Sequence, residues 1–167
     1  MTQPASVVFD GNDLVVWADA VSDLSAPTVA EGTAGFNATC YLTGDGWNPA
    51  MTEDAVPDNR LCARLNFQKA GRKTWAMPMM YTINPASPSD DDARTTFVDG
   101  ALGVFIERPG VDFEDSIAAD DWVQCWAVEL GQPQLAGRTQ NGVWVMTQQA
   151  YLRPTGGGTA GLVQVVA

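Results

Sequence analysis

The chain has 167 residues, is 46% hydrophobic, and sets 20 acidic side chains against nine Lys and Arg for a net charge of −11. One sizeable core is within reach of that length, so a single domain over 1–167 is expected. The acidic balance excludes a phosphate-neutralising grip on nucleic acid, which needs clustered cations, and the absence of histidine removes Ser-His-Asp and Cys-His catalysis and the commonest zinc ligand.

The start, MTQPASVV, lacks the basic patch and apolar stretch of a secretory signal, and no apolar run nears the roughly 20 residues that span a bilayer. Cytoplasmic origin and no membrane contact are the expectations, with residues 1–5 as an N-terminal arm. In SVVFDGNDLVVWAD, Val7 to Phe9 and Leu14 to Trp17 flank Asp10-Gly11-Asn12-Asp13, which predicts an N-terminal hairpin. Residues 21–37, with Pro27 and two glycines, read as a loop or extended connector.

CYLTGDGWNPAMTEDAVPDNRLC, residues 40–62, poses the central question: metal loop, disulfide-closed lid or contact arm. A calcium loop starting at Asp45 would need Gly at its sixth position and Glu at its twelfth, where Ala50 and Val56 stand. A Cys40–Cys62 disulfide is conceivable but leaves Cys125 over, and buried thiols are the default. What remains is a long acidic loop over 43–59 with Trp47 and Met51 as apolar anchors, and a loop of that length points to a contact arm.

From Asn59 the alternation of Leu61, Ala63, Leu65 and Phe67, a turn at Ala70-Gly71, and then Trp75, Met77, Met79, Tyr81 and Ile83 predict an antiparallel hairpin. Pro78 marks an edge or bulge in it. Arg60, Arg64, Lys69, Arg72 and Lys73, five of the nine basic residues, lie on or beside this hairpin. ASPSDDDARTTFVDGALG predicts one helix over about 89–102. Ser89 is its N-cap, Asp90, Asp91 and Asp92 sit at the positive end of the dipole, and Ala93, Phe97, Val98, Ala101 and Leu102 form one stripe before Gly103. Capping explains the three acids without a metal.

Strands resume at Val104 to Glu107, Trp122 to Leu130 and Val143 to Leu152. AGLVQVVA closes the chain within a Gly-hinged segment over 154–167, able to add a strand to its own sheet or a neighbour's. Several strands are apolar on both faces, which points to a partner surface. The fold is thus expected to be mainly β. No cofactor or metal is implied. An acid-pair glycosidase would use Asp120-Asp121 or Asp112 to Asp115, but adjacent acids of this kind read as solvent-facing.

The runs SAPTVAEGTAGFNAT, CYLTGDGWNPAMTEDAVPDNRLCARLNFQKAGRKT and SDDDARTTFVDGALGVFIERPGVD together resemble the major tail protein of long, non-contractile-tailed phages of actinobacteria, over about residues 5–155. The resemblance implies a structural virion protein, not an enzyme, with two packed antiparallel sheets in a sandwich or barrel-like tail tube fold and one flanking helix. It implies six copies per ring and rings stacked around a channel that encloses the tape measure protein and passes DNA without binding it. Tail terminator and tail tip proteins are the further partners, with assembly in the host cytoplasm.

Within that frame Asp45, Trp47, Met51, Glu53, Asp54, Arg60, Arg64, Lys69, Arg72 and Lys73 become candidates for contacts between rings, and Asp112, Glu114 and Asp115 for the channel wall. Ring closure would consume the sheet edges that otherwise invite aggregation. Two other readings compete. One is a head-tail joining or capsid decoration protein. The other is a carbohydrate or small-ligand binding sandwich, prompted by six Trp, of which Trp17, Trp75, Trp122 and Trp144 fall in strand patterns and read as core or interface.

Overall fold

Val, Ile, Trp and Tyr favour extended backbone, and the chain gathers them in nine strands. The computed structural model describes residues 5–62, 64–138, 140, 142–154 and 157–167. Its elements are β1 (Asp13–Ala18), α1 (Val29–Ala34), β2 (Phe36–Asn37), β3 (Ala50–Asp58), β4 (Phe67–Thr82), a 3-10 turn (Pro88–Asp90), α2 (Asp92–Thr96), β5 (Leu102–Pro109), β6 (Trp122–Leu130), β7 (Gln134–Leu135), β8 (Val145–Leu152) and β9 (Val163–Gln164). The strand order is β2-β1-β5-β6-β8-β4-β3, with β7 added to β8 and β9 to β6. Each of these strand pairs is antiparallel.

The protein is mainly β, as the patterning predicts, but its strands form one open sheet where two packed sheets were expected. Loops and short helices take the place of a second layer. On one face Val15, Trp17, Phe105, Trp126, Val128, Met77, Met79 and Tyr81 pack beneath Ala38, Trp47 and Phe97. On the other, Leu14, Val16, Val104, Ile106, Val123 and Cys125 pack beneath Ile117, Val165, Leu24 and Val29. The central strands β1, β5 and β6 are therefore covered on both faces from within the chain, whereas β8 contributes only to the first cluster and leaves Tyr151 exposed. Residues 36–46 tie the first cluster together: Ala38 N–H bonds to Val15 O on β1, while Thr43 N–H bonds to Met80 O and Thr82 N–H to Tyr41 O on β4.

Local structure departs from the sequence expectations at several points. No strand forms at Val7 to Phe9, which lie exposed, because β2 and β5 occupy both edges of β1. Within 21–37 sits α1, held by a capping box in which Thr28 and Glu31 satisfy each other's backbone donors. The loop expected over 43–59 is a loop only to Pro49, since its second half is β3 paired to β4.

The turn expected at Ala70-Gly71 lies inside the continuous β4. Gly71 is needed there for close approach at a bulge, since a Cβ would stand 2.6 Å from the Asp54 carbonyl oxygen. The actual turn spans 59–66, of which Ala63 lies outside the described residues. Pro78 falls where the outer edge of β4 passes from Ala50 to Gly46, and its missing N–H would point into that gap.

The helix expected over 89–102 is cut to α2, and Ser89 is not its cap. The Asp91 carboxylate, fully buried, accepts from Asn84 N–H and Arg94 and caps nothing. Phe97 ends the helix and turns into the core, Val98 is exposed, and Leu102 already pairs with Glu129 in the sheet. The closing segment pairs with its own β6, Val163 opposite Val123. Residues 1–4 of the expected N-terminal arm, and Thr155 and Gly156 of the hinge, lie outside the described residues.

Cys40 and Cys62 are free and exposed, so no bridge joins them. Cys125 is buried, and burial together with the Glu31 charge pushes its thiol up to about 12, leaving an inert packing group.

Candidate functional site

Two features stand out from the body: a projecting ribbon and the cavity at its root. Ala50 to Asp58 pair with Ala76 back to Phe67, whereas only Met77 to Thr82 of β4 pair with β8. The first ten residues of β4 and all of β3 therefore leave the sheet as a two-stranded arm. Among the described residues both of its outer edges lack a strand partner, the situation that invites pairing with another chain. Met51, Val56, Leu61, Leu65 and Phe67 are exposed along it.

The basic residues lie on the same arm. Lys73 pairs with Glu53 at 3.7 Å, and Asp58 receives Lys69 at 2.9 Å and Arg60 at 3.2 Å. Bonds from Arg60 and then Lys69 hold the Asp58 carboxyl below the usual range. Such exposed pairs contribute little stability each. Among the described residues Arg64 and Arg72 make no ion pair. Asp54 is exposed on the arm.

Trp47, expected to be an apolar anchor of the contact arm, packs instead inside its own chain. It is buried against Phe105 and Trp126, with ring centroids 4.7 and 6.0 Å away. The antiparallel register that sets Val15 opposite Glu107 puts Asp13, two residues earlier, on the same face as Glu107. Trp47 Nε1–H donates to Glu107 Oε2 at 2.9 Å. With Asp45, Phe9, Met51, Trp75 and Trp126 these groups line an open cavity of about 480 Å³ at the arm's root. Burial, and then the Asp13 charge, push the Glu107 carboxyl up to about 7 against the opposing Trp47 bond. Burial likewise raises Asp13, whose Oδ1 is buried without a hydrogen-bond partner among the described residues, as is Trp126 Nε1.

Asp112, Glu114 and Asp115 are exposed on the excursion between β5 and β6. That excursion is organised by Arg108, only 1% exposed. Its guanidinium donates to the carbonyls of Asp112, Asp115 and Ser116 and to the Asp121 carboxylate at 2.7 to 3.1 Å. Sequence reasoning missed Asp13, Glu107 and Arg108. The available signal was charge set inside apolar strands, in DLVVW and GVFIERP. Of the strand tryptophans, Trp17 is buried, Trp75 half-buried, and Trp122 and Trp144 exposed. The Arg138 guanidinium covers the Trp144 ring at 4.8 Å.

Among protein-family models, one described as phage tail tube protein matches residues 1–159. Among solved structures, the chain is similar to one in the cryo-EM structure of the anti-feeding prophage (AFP) baseplate, 6-fold symmetrised. The two share 13% identity over 92% of this chain and 94% of that one, with a TM-score of 0.53, a likeness of fold. No curated protein matches the chain.

Proposed function

The chain belongs to the phage tail tube protein family, and from that premise we propose that six copies close into a ring, that rings stack into a tube, and that the arm is the contact from one ring to the next. The family is structural, so the protein is a component of the virion tail and not an enzyme. It assembles with itself and with other tail components. In the proposed tube it encloses a tape measure protein, meets terminator and tip proteins at the ends, and passes DNA. The parent phage is of the non-contractile, actinobacterial type and the tube is built in the host cytoplasm. The 6-fold symmetry named for the AFP baseplate supports the ring number.

The arm carries this reading. A two-stranded ribbon is marginal in water on its own, yet this one holds apolar and basic groups away from the body, a cost in stability and solubility unless another surface receives it. Met51, Glu53, Asp54, Arg60, Arg64, Lys69, Arg72 and Lys73 belong to that contact, with Asp45 at its root. Asp112, Glu114 and Asp115 line the channel, where like charge within about a Debye length, roughly 8 Å, keeps DNA from adhering.

Replacing residues 54–72 with Asn-Gly joins Glu53 to Lys73, which already face each other, by a two-residue hairpin. The trimmed chain is expected to keep its β-rich circular dichroism and form rings that do not stack. Tubes of normal length in negative-stain images defeat the assignment.

A further inference from the structure

The cavity at the arm's root is lined by three carboxylates, Asp13, Asp45 and Glu107. Besides Glu107, its charged lining residues are Asp13 from β1 and the exposed Asp45 from the loop before β3, while β6 contributes the neutral Gln124. No cation lines this cavity among the described residues. A desolvated acid pair, one of whose oxygens, Asp13 Oδ1, is buried with no hydrogen-bond partner among the described residues, is an unfilled electrostatic site. Phe9 and Met51, both exposed, and half-buried Trp75 supply apolar wall.

The arm's far end has the complementary chemistry. Arg64 makes no ion pair among the described residues, and Leu61 and Leu65 beside it are exposed. Met51 and Trp75, paired at the root, are separated from the last pair, Asp58 and Phe67, by seven residues of extended chain, roughly 23 Å. A tip at that distance along its own ribbon faces away from its own root. Another copy's tip has no such constraint.

We propose that the root cavity is the receptor for the arm tip of a second copy of this chain, with Arg64 seated between the Asp13 and Glu107 carboxylates and Leu61 and Leu65 against Phe9, Met51 and Trp75. This rests on the assignment of the arm as the ring-to-ring contact and names its partner. Tip-to-root contact is heterologous, and a heterologous contact that does not close on itself propagates without limit, as a tube requires. Protons compete with the guanidinium for both carboxylates, so stacking strengthens as pH rises through the Glu107 range.

The test is a double-mutant cycle on the critical concentration for stacking, measured by sedimentation and negative-stain imaging at pH 8. Arg64→Gln and the pair Asp13→Asn with Glu107→Gln are each expected to raise it about tenfold or more. All three substitutions together should do no worse than either set alone. Defects that multiply, or an Arg64→Gln chain that stacks as the wild type does, overturn the pairing. If the trimmed arm abolishes stacking while Arg64→Gln leaves it intact, the arm assignment stands and this receptor falls. If the trimmed chain stacks normally, both fall. A wild-type chain that stays solitary at every concentration also refutes the proposal.

Should the cavity variant fail to fold, Arg64→Lys replaces it. Carbodiimide should then join residue 64 to Asp13 or Glu107 of another copy, and links confined to other carboxylates count against the site.

Discussion

Glu107 gives the most quantitative handle on the cavity. Its carboxyl sits at about 7 where the ordinary value is 4.5. A folded-state value above the unfolded one means that the native chain holds the proton more tightly. The contribution to stability is therefore fully present below about pH 4.5 and is lost as pH rises through 7. At about 1.4 kcal/mol per pH unit, the full difference is about 3.5 kcal/mol, and the open mouth of the cavity and coupling to Asp13 reduce it to about 2. Glu107→Gln removes the titration while its amide oxygen still accepts from Trp47 Nε1–H.

Urea unfolding of the unassembled chain at a series of pH values reads the effect. The variant is expected to gain about 2 kcal/mol over wild type at pH 8.5 and little or nothing at pH 4.5, with the change centred between those values. A gain that does not vary with pH, or a loss at pH 8.5, refutes the picture of a desolvated carboxylate without a cation.

Phe97 is fully buried, with ring centroids 5.3 Å from Tyr81 and 5.8 Å from Trp17 and Phe105, so Phe97→Ala should cost about 3 to 5 kcal/mol, read from the thermal midpoint. Arg108→Met keeps the volume of the stem and removes four hydrogen bonds, three of them to the backbone of the 110–121 excursion. Limited proteolysis should then cut within 110–121 at rates well above wild type, and unchanged cleavage would show that Arg108 does not organise the excursion.

The strands that carry the core were legible because their apolar residues recur at short range. Trp122 to Leu130 is β6 to the residue, and β5 and β8 differ only at their ends. The capping box of α1 was also written in the chain, as Thr28 followed by Glu31 three residues on, and passed unread because Pro27 and Gly32 signal a loop. Phe97 was correctly marked for the core, although through a helix stripe that exists only as far as Thr96. The stripe fails because strand pairing at Leu102 claims the residues that a longer helix would need.

The arm shows the opposite case. TEDAV, with no alternation and no burial, has little reason of its own to extend, and becomes a strand only because β4 offers a ladder of donors and acceptors beside it. Asp13 and Glu107 are 94 positions apart by their numbering, and their shared face follows from a register that no local pattern encodes. Composition and short-range periodicity settled by themselves that this is an acidic, mainly β chain without histidine chemistry, because those properties sum over residues or repeat within a few of them. Which strands became neighbours, that a supposed loop projects as a ribbon, and that two distant acids share one cavity were decided by long-range pairing, where the free energy of a contact depends on what the rest of the fold brings opposite it.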